Sequence, residues 1–175
     1  MRKLLNEELN RKSVEEFIQA AKTPIVIVLD NVRSLNNIGS VFRTADAFLV
    51  EAIYLCGITG TPPNKDIQKT ALGSTDSVSW KYFNSALSAI NELKQNGYDV
   101  YAIEQVQSAI MLNDFKPNKG HRLAIVFGNE AKGVQQEVID ASTNVIEIPQ
   151  VGTKHSLNIA VSVGVVLWDL FQKIR

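Results

Sequence analysis

Disulfides, zinc ligands and nucleotide fingerprints are all missing from this chain, and each absence narrows what it can be. A single cysteine, Cys56, rules out an intrachain disulfide. It lies in the apolar run Ala52-Ile53-Tyr54-Leu55-Cys56 and reads as a small buried hydrophobe. The two histidines, His121 and His155, stand apart with no cysteine pair at zinc spacing, so no metal centre is expected. No apolar run is long enough to span a bilayer, and residues 1–8 lack the apolar core of a secretion signal. A cytoplasmic protein without a membrane partner is expected. Neither G-x-G-x-x-G nor G-x-x-x-x-G-K-[ST] occurs, which removes the usual dinucleotide and triphosphate sites, and no G-x-S-x-G elbow supports a serine hydrolase. Excess charge is missing too: 18 Lys+Arg balance 18 Asp+Glu. A nucleic-acid partner would need a local basic patch.

What is present is a chain of 175 residues, long enough for one domain, 1–175, with a core of its own. Apolar runs rich in β-branched residues predict strands over 25–29, 52–56, 78–83, 98–103, 123–127 and 145–148. Helical spacing predicts helices over 38–49, 66–72, 84–95 (capped by Asn84), 135–141 and 156–173. Residues 1–22 read as an amphipathic accessory helix, with a capping-box pattern at Ser13-Val14-Glu15-Glu16 offering an internal break. Strands alternating with helices predict an α/β domain, its mostly parallel sheet flanked by helices.

Polar side chains gather at the points where buried strands hand over to helices. Such stretches run from Asn36 to Thr44, from Phe127 to Gly133 and from His155 to Asn158. In a parallel sheet these handovers lie at the carboxyl ends of the strands, where ligands bind. Plainer roles exist for several of them. Asn37 or Ser156 could cap a helix, Glu130 could be solvated, and Arg43 could form a surface ion pair. Asn158, placed inside an apolar helix, has no such explanation, because burying its amide unpaired costs a few kcal/mol. The last helix is apolar on every side, through Leu157, Ile159, Ala160, Val161, Val163, Val165, Val166, Leu167, Trp168, Leu170 and Phe171, which predicts a homodimer built on it, with burial by the N-terminal helix of the same chain as the alternative.

In these stretches the chain resembles the SpoU (TrmH-type) RNA ribose 2′-O-methyltransferase family of the SPOUT superfamily. The first motif is Asn37-Ile38-Gly39-Ser40-Val41-Phe42-Arg43-Thr44-Ala45-Asp46-Ala47, and the second is Phe127-Gly128-Asn129-Glu130-Ala131-Lys132-Gly133-Val134. The third is Ile148-Pro149 followed by Ser156-Leu157-Asn158-Ile159-Ala160-Val161-Ser162, with Lys69-Thr70-Ala71-Leu72-Gly73-Ser74 as the middle loop. Departures are small: Gln150 stands where Met is frequent, and Ser162 where Ala is usual.

The resemblance implies a C-terminal deep trefoil knot, S-adenosylmethionine as cofactor, an RNA substrate and a dimer through the last helix. It implies catalytic roles for Arg43, Asn37, Glu130, Ser156 and Asn158, with Glu130 holding Arg43 or a backbone amide. Arg43 would act as base or as phosphate clamp, the clamp being at least as reasonable for a guanidinium that keeps its proton. Gly128, Ile148, Leu157, Ser156 and Ile103 would hold the cofactor. Arg33, Lys65, Lys69, Lys132 and Lys154 are candidate RNA contacts, with Arg2, Lys3, Arg11 and Lys12 in the N-terminal segment. Without a separate N-terminal RNA-binding domain, tRNA is favoured over rRNA. The alternatives are a base N-methyltransferase on the same scaffold and a catalytically idle RNA-binding homologue.

Overall fold

The computed structural model describes residues 1–174. Seven parallel strands form one sheet in the order β3-β2-β1-β6-β4-β7-β5. They are β1 Thr23–Asp30, β2 Val50–Cys56, β3 Trp80–Phe83, β4 Tyr98–Ile103, β5 Ile110–Met111, β6 Arg122–Phe127 and β7 Asn144–Glu147. The helices are α1 Val14–Gln19, α2 Leu35–Ala47, α3 Lys65–Ala71, α4 Ser74–Ser77, α5 Ala86–Gln95, α6 Gln136–Ala141 and α7 Ile159–Ile174.

Continuous apolar runs form the central strands because both sheet faces are covered. On β1, Ile25, Ile27 and Leu29 enter one core with Phe42 and Leu167, while Val26 and Val28 enter the other with Ile90 and Leu93. β6 divides the same way, Leu123, Ile125 and Phe127 against Ala124 and Val126. The two-residue period of a strand thus feeds two layers, α2 and α7 on one side, α5 and α6 on the other. Each buried Ile, Leu or Val side chain contributes roughly 1.5–3 kcal/mol.

Several boundaries differ from those expected. The N-terminal segment is not one helix over 1–22. A 3₁₀ turn at Asn6–Leu9 is separated from α1 by Asn10 in the left-handed region, φ 46°. Ser13 then starts α1 with its capping box: Ser13 Oγ accepts from Glu16 N at 3.2 Å, and Ser13 N donates to Glu16 Oε2 at 2.8 Å. Only Phe17 of this segment is buried, so nothing holds a longer helix together. The 84–95 helix is capped by Ser85 rather than Asn84. The two-residue strand β5 was not foreseen.

Two corrections bear on the site. α2 starts before Asn37, because Ser34 Oγ accepts from Asn37 N at 3.3 Å and takes the capping role. Likewise α7 starts at Ile159, and its cap is Asn158, not Ser156. Asn158 Oδ1 accepts from Ala160 N at 2.9 Å, and the Asn158 carbonyl accepts from Ser162 N at 2.9 Å. Asn158 is therefore an exposed capping residue outside the helix, and the desolvation cost expected of it does not arise.

Candidate active site at the carboxyl ends of the strands

A cavity of about 700 Å³ opens where β4, β6 and β7 end, within the roughly 300–1,000 Å³ typical of small-molecule sites. Ile103, Gly128, Ile148, Ser156 and Leu157 all line it, as do Glu130, Lys132 and Asn158. Its apolar wall comes from strand-end residues, whose alternation delivers Phe127 and Ile103 to this end of the sheet.

Hydrogen bonds join the polar stretches at the cavity mouth. Asn158 Nδ2 donates to Asn37 Oδ1 at 3.1 Å, and Asn37 Nδ2 donates to Glu130 Oε1 at 3.4 Å. Glu130 also accepts from the backbone N–H of Arg33 (2.9 Å) and Ser34 (3.0 Å). Partial burial pushes the Glu130 carboxyl up, but these amide donors outweigh it and hold the group below its ordinary value. Of the two roles expected of Glu130, the structure shows the backbone one: it holds the Arg33–Ser34 segment that leads into α2 and makes no bond to Arg43.

Other side chains shape the second stretch. Asn129 Nδ2 donates to the Asn31 carbonyl at 2.6 Å, while Asn129 Oδ1 accepts from the N–H of Ala131 (2.9 Å) and Lys132 (3.1 Å). Gly133 turns the loop at φ 68°, and a Cβ on Gly128 would overlap the Gly133 carbonyl carbon and the Val134 nitrogen. Glycine is required at Gly128 by this close approach of two backbones. Glu104, directly after β4, accepts from Val134 N at 3.0 Å and Gln105 N at 2.8 Å. Gln105 Nε2 donates to the His155 carbonyl at 2.8 Å, tying the 104–106 turn to the third stretch. Asp30, fully buried at the end of β1, accepts from Asn31 Nδ2 (2.8 Å) and Gln135 N (3.3 Å). Burial pushes its carboxyl above the ordinary range, against the pull of those donors.

None of Glu104, Gln105, Asn129 or Asp30 was singled out from the sequence. A polar residue directly after a buried strand was the available signal for Asp30 and Glu104.

Arg43 stands elsewhere. It is exposed on α2, does not line the cavity, and makes no hydrogen bond or ion pair with the described residues. Of the candidate RNA contacts, Lys132 lines the cavity. Arg33, Lys65, Lys69 and Lys154 are exposed outside it, and Arg2 is occupied by an ion pair to Glu8 at 2.6 Å. Among the described residues no cluster of His, Cys, Asp or Glu could hold a metal ion, and no helix is long and apolar enough to cross a membrane.

The chain is similar in sequence and fold to known proteins. The family described as "SpoU rRNA Methylase family" matches residues 24–168. The tRNA (guanosine(18)-2′-O)-methyltransferase of Thermus thermophilus is 28% identical over 162 residues, 93% of this chain and 81% of that protein. The crystal structure of an AdoMet-bound rRNA methyltransferase from Sinorhizobium meliloti superposes with TM-score 0.80 at 25% identity, covering 94% of this chain and 62% of the other. A structure described as giving insight into 2-OH methylation of C/U34 on tRNA superposes with TM-score 0.75 at 26% identity, covering 86% and 97%.

Proposed function

This chain belongs to the SpoU rRNA Methylase family, and on that footing we propose that it methylates a ribose 2′-hydroxyl of RNA with S-adenosylmethionine as methyl donor. The observation that carries the proposal is the hydrogen-bonded chain Asn158–Asn37–Glu130, which binds all three motif stretches to the mouth of one cavity. The names of the Thermus relative and of the tRNA 2-OH methylation structure support ribose as the acceptor and tRNA as the RNA.

The cavity suits this cofactor. Phe127, Ile148 and Leu157 among its lining would offer an apolar bed for adenine, and Glu104 and Glu147 give the same lining negative charge that suits a cationic sulfonium. When bound, the sulfonium supplies an electrophilic methyl group. Gly128, Ile148, Leu157, Ser156 and Ile103 would hold the cofactor through apolar contact and backbone groups. Asn37, oriented from both sides by Asn158 and Glu130, would position the ribose. Arg43, exposed on α2 outside the cavity, would clamp an RNA phosphate near the acceptor ribose through its planar fork of donors. The hydroxyl proton then leaves to solvent or to a phosphate oxygen. In-line geometry supplies most of the rate.

Dimerisation through α7 belongs to the same proposal. α7 buries Ile159, Val163, Val166, Leu167 and Leu170 but exposes Val161, Val165 and Trp168 on one stripe. Trp168 also packs on Phe48, directly after α2, with ring centroids 6.3 Å apart. A second copy docked on this stripe would bring each α2, and with it Arg43, towards the interface. A C-terminal deep trefoil knot and a cytoplasmic setting belong to the same proposal. The test is calorimetric titration with S-adenosylmethionine followed by methyl transfer to host tRNA and rRNA. RNA binding without cofactor uptake would favour an idle homologue instead.

A further inference from the structure

Among the described residues, four non-glycine residues have positive φ: Asn10, Asn31, Leu49 and Leu72. Asparagine visits this region at little cost, whereas a bulky side chain there is a genuine outlier. Leu49 is repaid by packing, since its side chain rests against the main core. Leu72 is not. At φ 52° it caps α3 and is 64% exposed. The next residue, Gly73, is also left-handed, φ 88°, and a Cβ there would meet nothing within 4 Å. The turn closes α3 through Leu72 N, which donates to the Gln68 carbonyl at 3.1 Å, a bond that glycine would serve with less strain, while the leucine side chain itself joins neither core and stands in solvent.

Its place in the fold is fixed at both ends. Thr70 Oγ1 donates to the Asn36 carbonyl at 2.9 Å, and Ser77 Oγ donates to the Asp46 carboxylate. A Cβ on Gly39 would overlap Thr70 and the Ile67 carbonyl, so α2 and α3 touch backbone to backbone. Arg43 lies one helical turn beyond Gly39, between the two anchors. Asn36, the first anchor, adjoins Asn37 at the cavity mouth. Around the turn, Arg43, Lys65 and Lys69 are exposed and in none of the ion pairs of the described residues. Asp66 and Asp76 only partly offset them.

We infer that Leu72 is an apolar wedge that rests against an unstacked base of the RNA substrate, next to the nucleotide whose ribose is presented at the cavity mouth. Apolar side chains inserted at base steps hold nucleotides out of their stack, and proteins read RNA chiefly at such unpaired positions. Strain held at a functional turn is the usual companion of such a role. The free cations around Leu72 supply the phosphate contacts, which favours a nucleic acid over a second copy of the chain as the occupant. The inference rests on the RNA methyltransferase reading.

The test compares Leu72→Gly and Leu72→Met with the unaltered protein. Glycine relieves the left-handed backbone, so Leu72→Gly melts no lower than the parent. Its kcat/KM for RNA falls about tenfold through KM, with cofactor affinity unchanged, and Leu72→Met restores it. RNA carrying 2-aminopurine beside the target nucleotide brightens on binding the parent and less on binding Leu72→Gly. If the parent methylates RNA and Leu72→Gly shows the same KM and fluorescence, the wedge is wrong while the enzyme reading stands. If Leu72→Gly turns from dimer to monomer, Leu72 belongs to a subunit contact and the inference is overturned. If the parent methylates no RNA at all, both fall together.

Discussion

The side chains of Asn158 and Asn37, 121 residues apart in sequence, meet in a 3.1 Å hydrogen bond. One caps α7 and the other lies in the first turn of α2, so the bond fixes two helix starts against each other at the cavity mouth. Asn158→Asp separates its two duties. An Asp caps as well as Asn and suits a helix N-terminus, but a carboxylate cannot donate to Asn37 Oδ1. Asn158→Asp is expected to keep its melting temperature and lose most methyl transfer. Asn158→Ala is expected to lose the transfer and, in addition, about 0.5–2 kcal/mol of stability. Denaturant titrations and single-turnover assays distinguish the two.

Glu130 gives the site a pH dependence whose sign follows from its donors. Its folded-state value lies below the ordinary one, so its contribution is fully present above the usual carboxylate range, about pH 4.3. That contribution fades as pH falls through the lowered folded value. Glu130→Gln is expected to loosen the Arg33–Ser34 segment before α2 at neutral pH, with the difference from the parent shrinking at acid pH. Hydrogen exchange at the Arg33 and Ser34 amides, followed as a function of pH, checks this.

Arg43 makes no contact that the fold needs, so its removal tests chemistry alone. Arg43→Ala is expected to leave the melting temperature unchanged and cofactor affinity within a few fold, while methyl transfer drops by about 100-fold or more. Arg43→Lys should recover little, because a lysine lacks the planar fork that grips a phosphate.

The exposed stripe of α7 predicts the assembly. Trp168→Glu puts a charge on the stripe of Val161, Val165 and Trp168 and is expected to give an inactive monomer or an aggregate in sedimentation velocity. An active monomer would remove dimerisation from the account.

The sheet was legible because its strands are buried on both faces, and runs such as Ile25–Leu29 cannot be anything half-solvated. The helix starts were less so. Ser34 and Asn37 compete for one cap, Ser156 and Asn158 for another, and local chemistry does not choose between them. The choice is tertiary: Asn37 is drawn inward by Asn158 and Glu130, and Asn158 gains a cap and a partner in one position. The residues in the polar stretches stood out by type and place. Glu104 and Asp30, outside those stretches, did not, since a polar residue after a strand looks solvated until the backbone it binds, far off in sequence, is known.

The central claim is that the cavity mouth held by Asn37, Glu130 and Asn158 presents a sugar hydroxyl to a methyl donor. The most direct measurement is the position of the methyl group. RNA labelled by the purified protein with isotopic S-adenosylmethionine is digested to nucleosides and weighed by mass spectrometry, with an alkaline digest alongside. The account predicts label on ribose and alkali-resistant dinucleotides from the parent, and neither from Arg43→Ala. Label on a base, with every phosphodiester still cleaved by alkali, would contradict it.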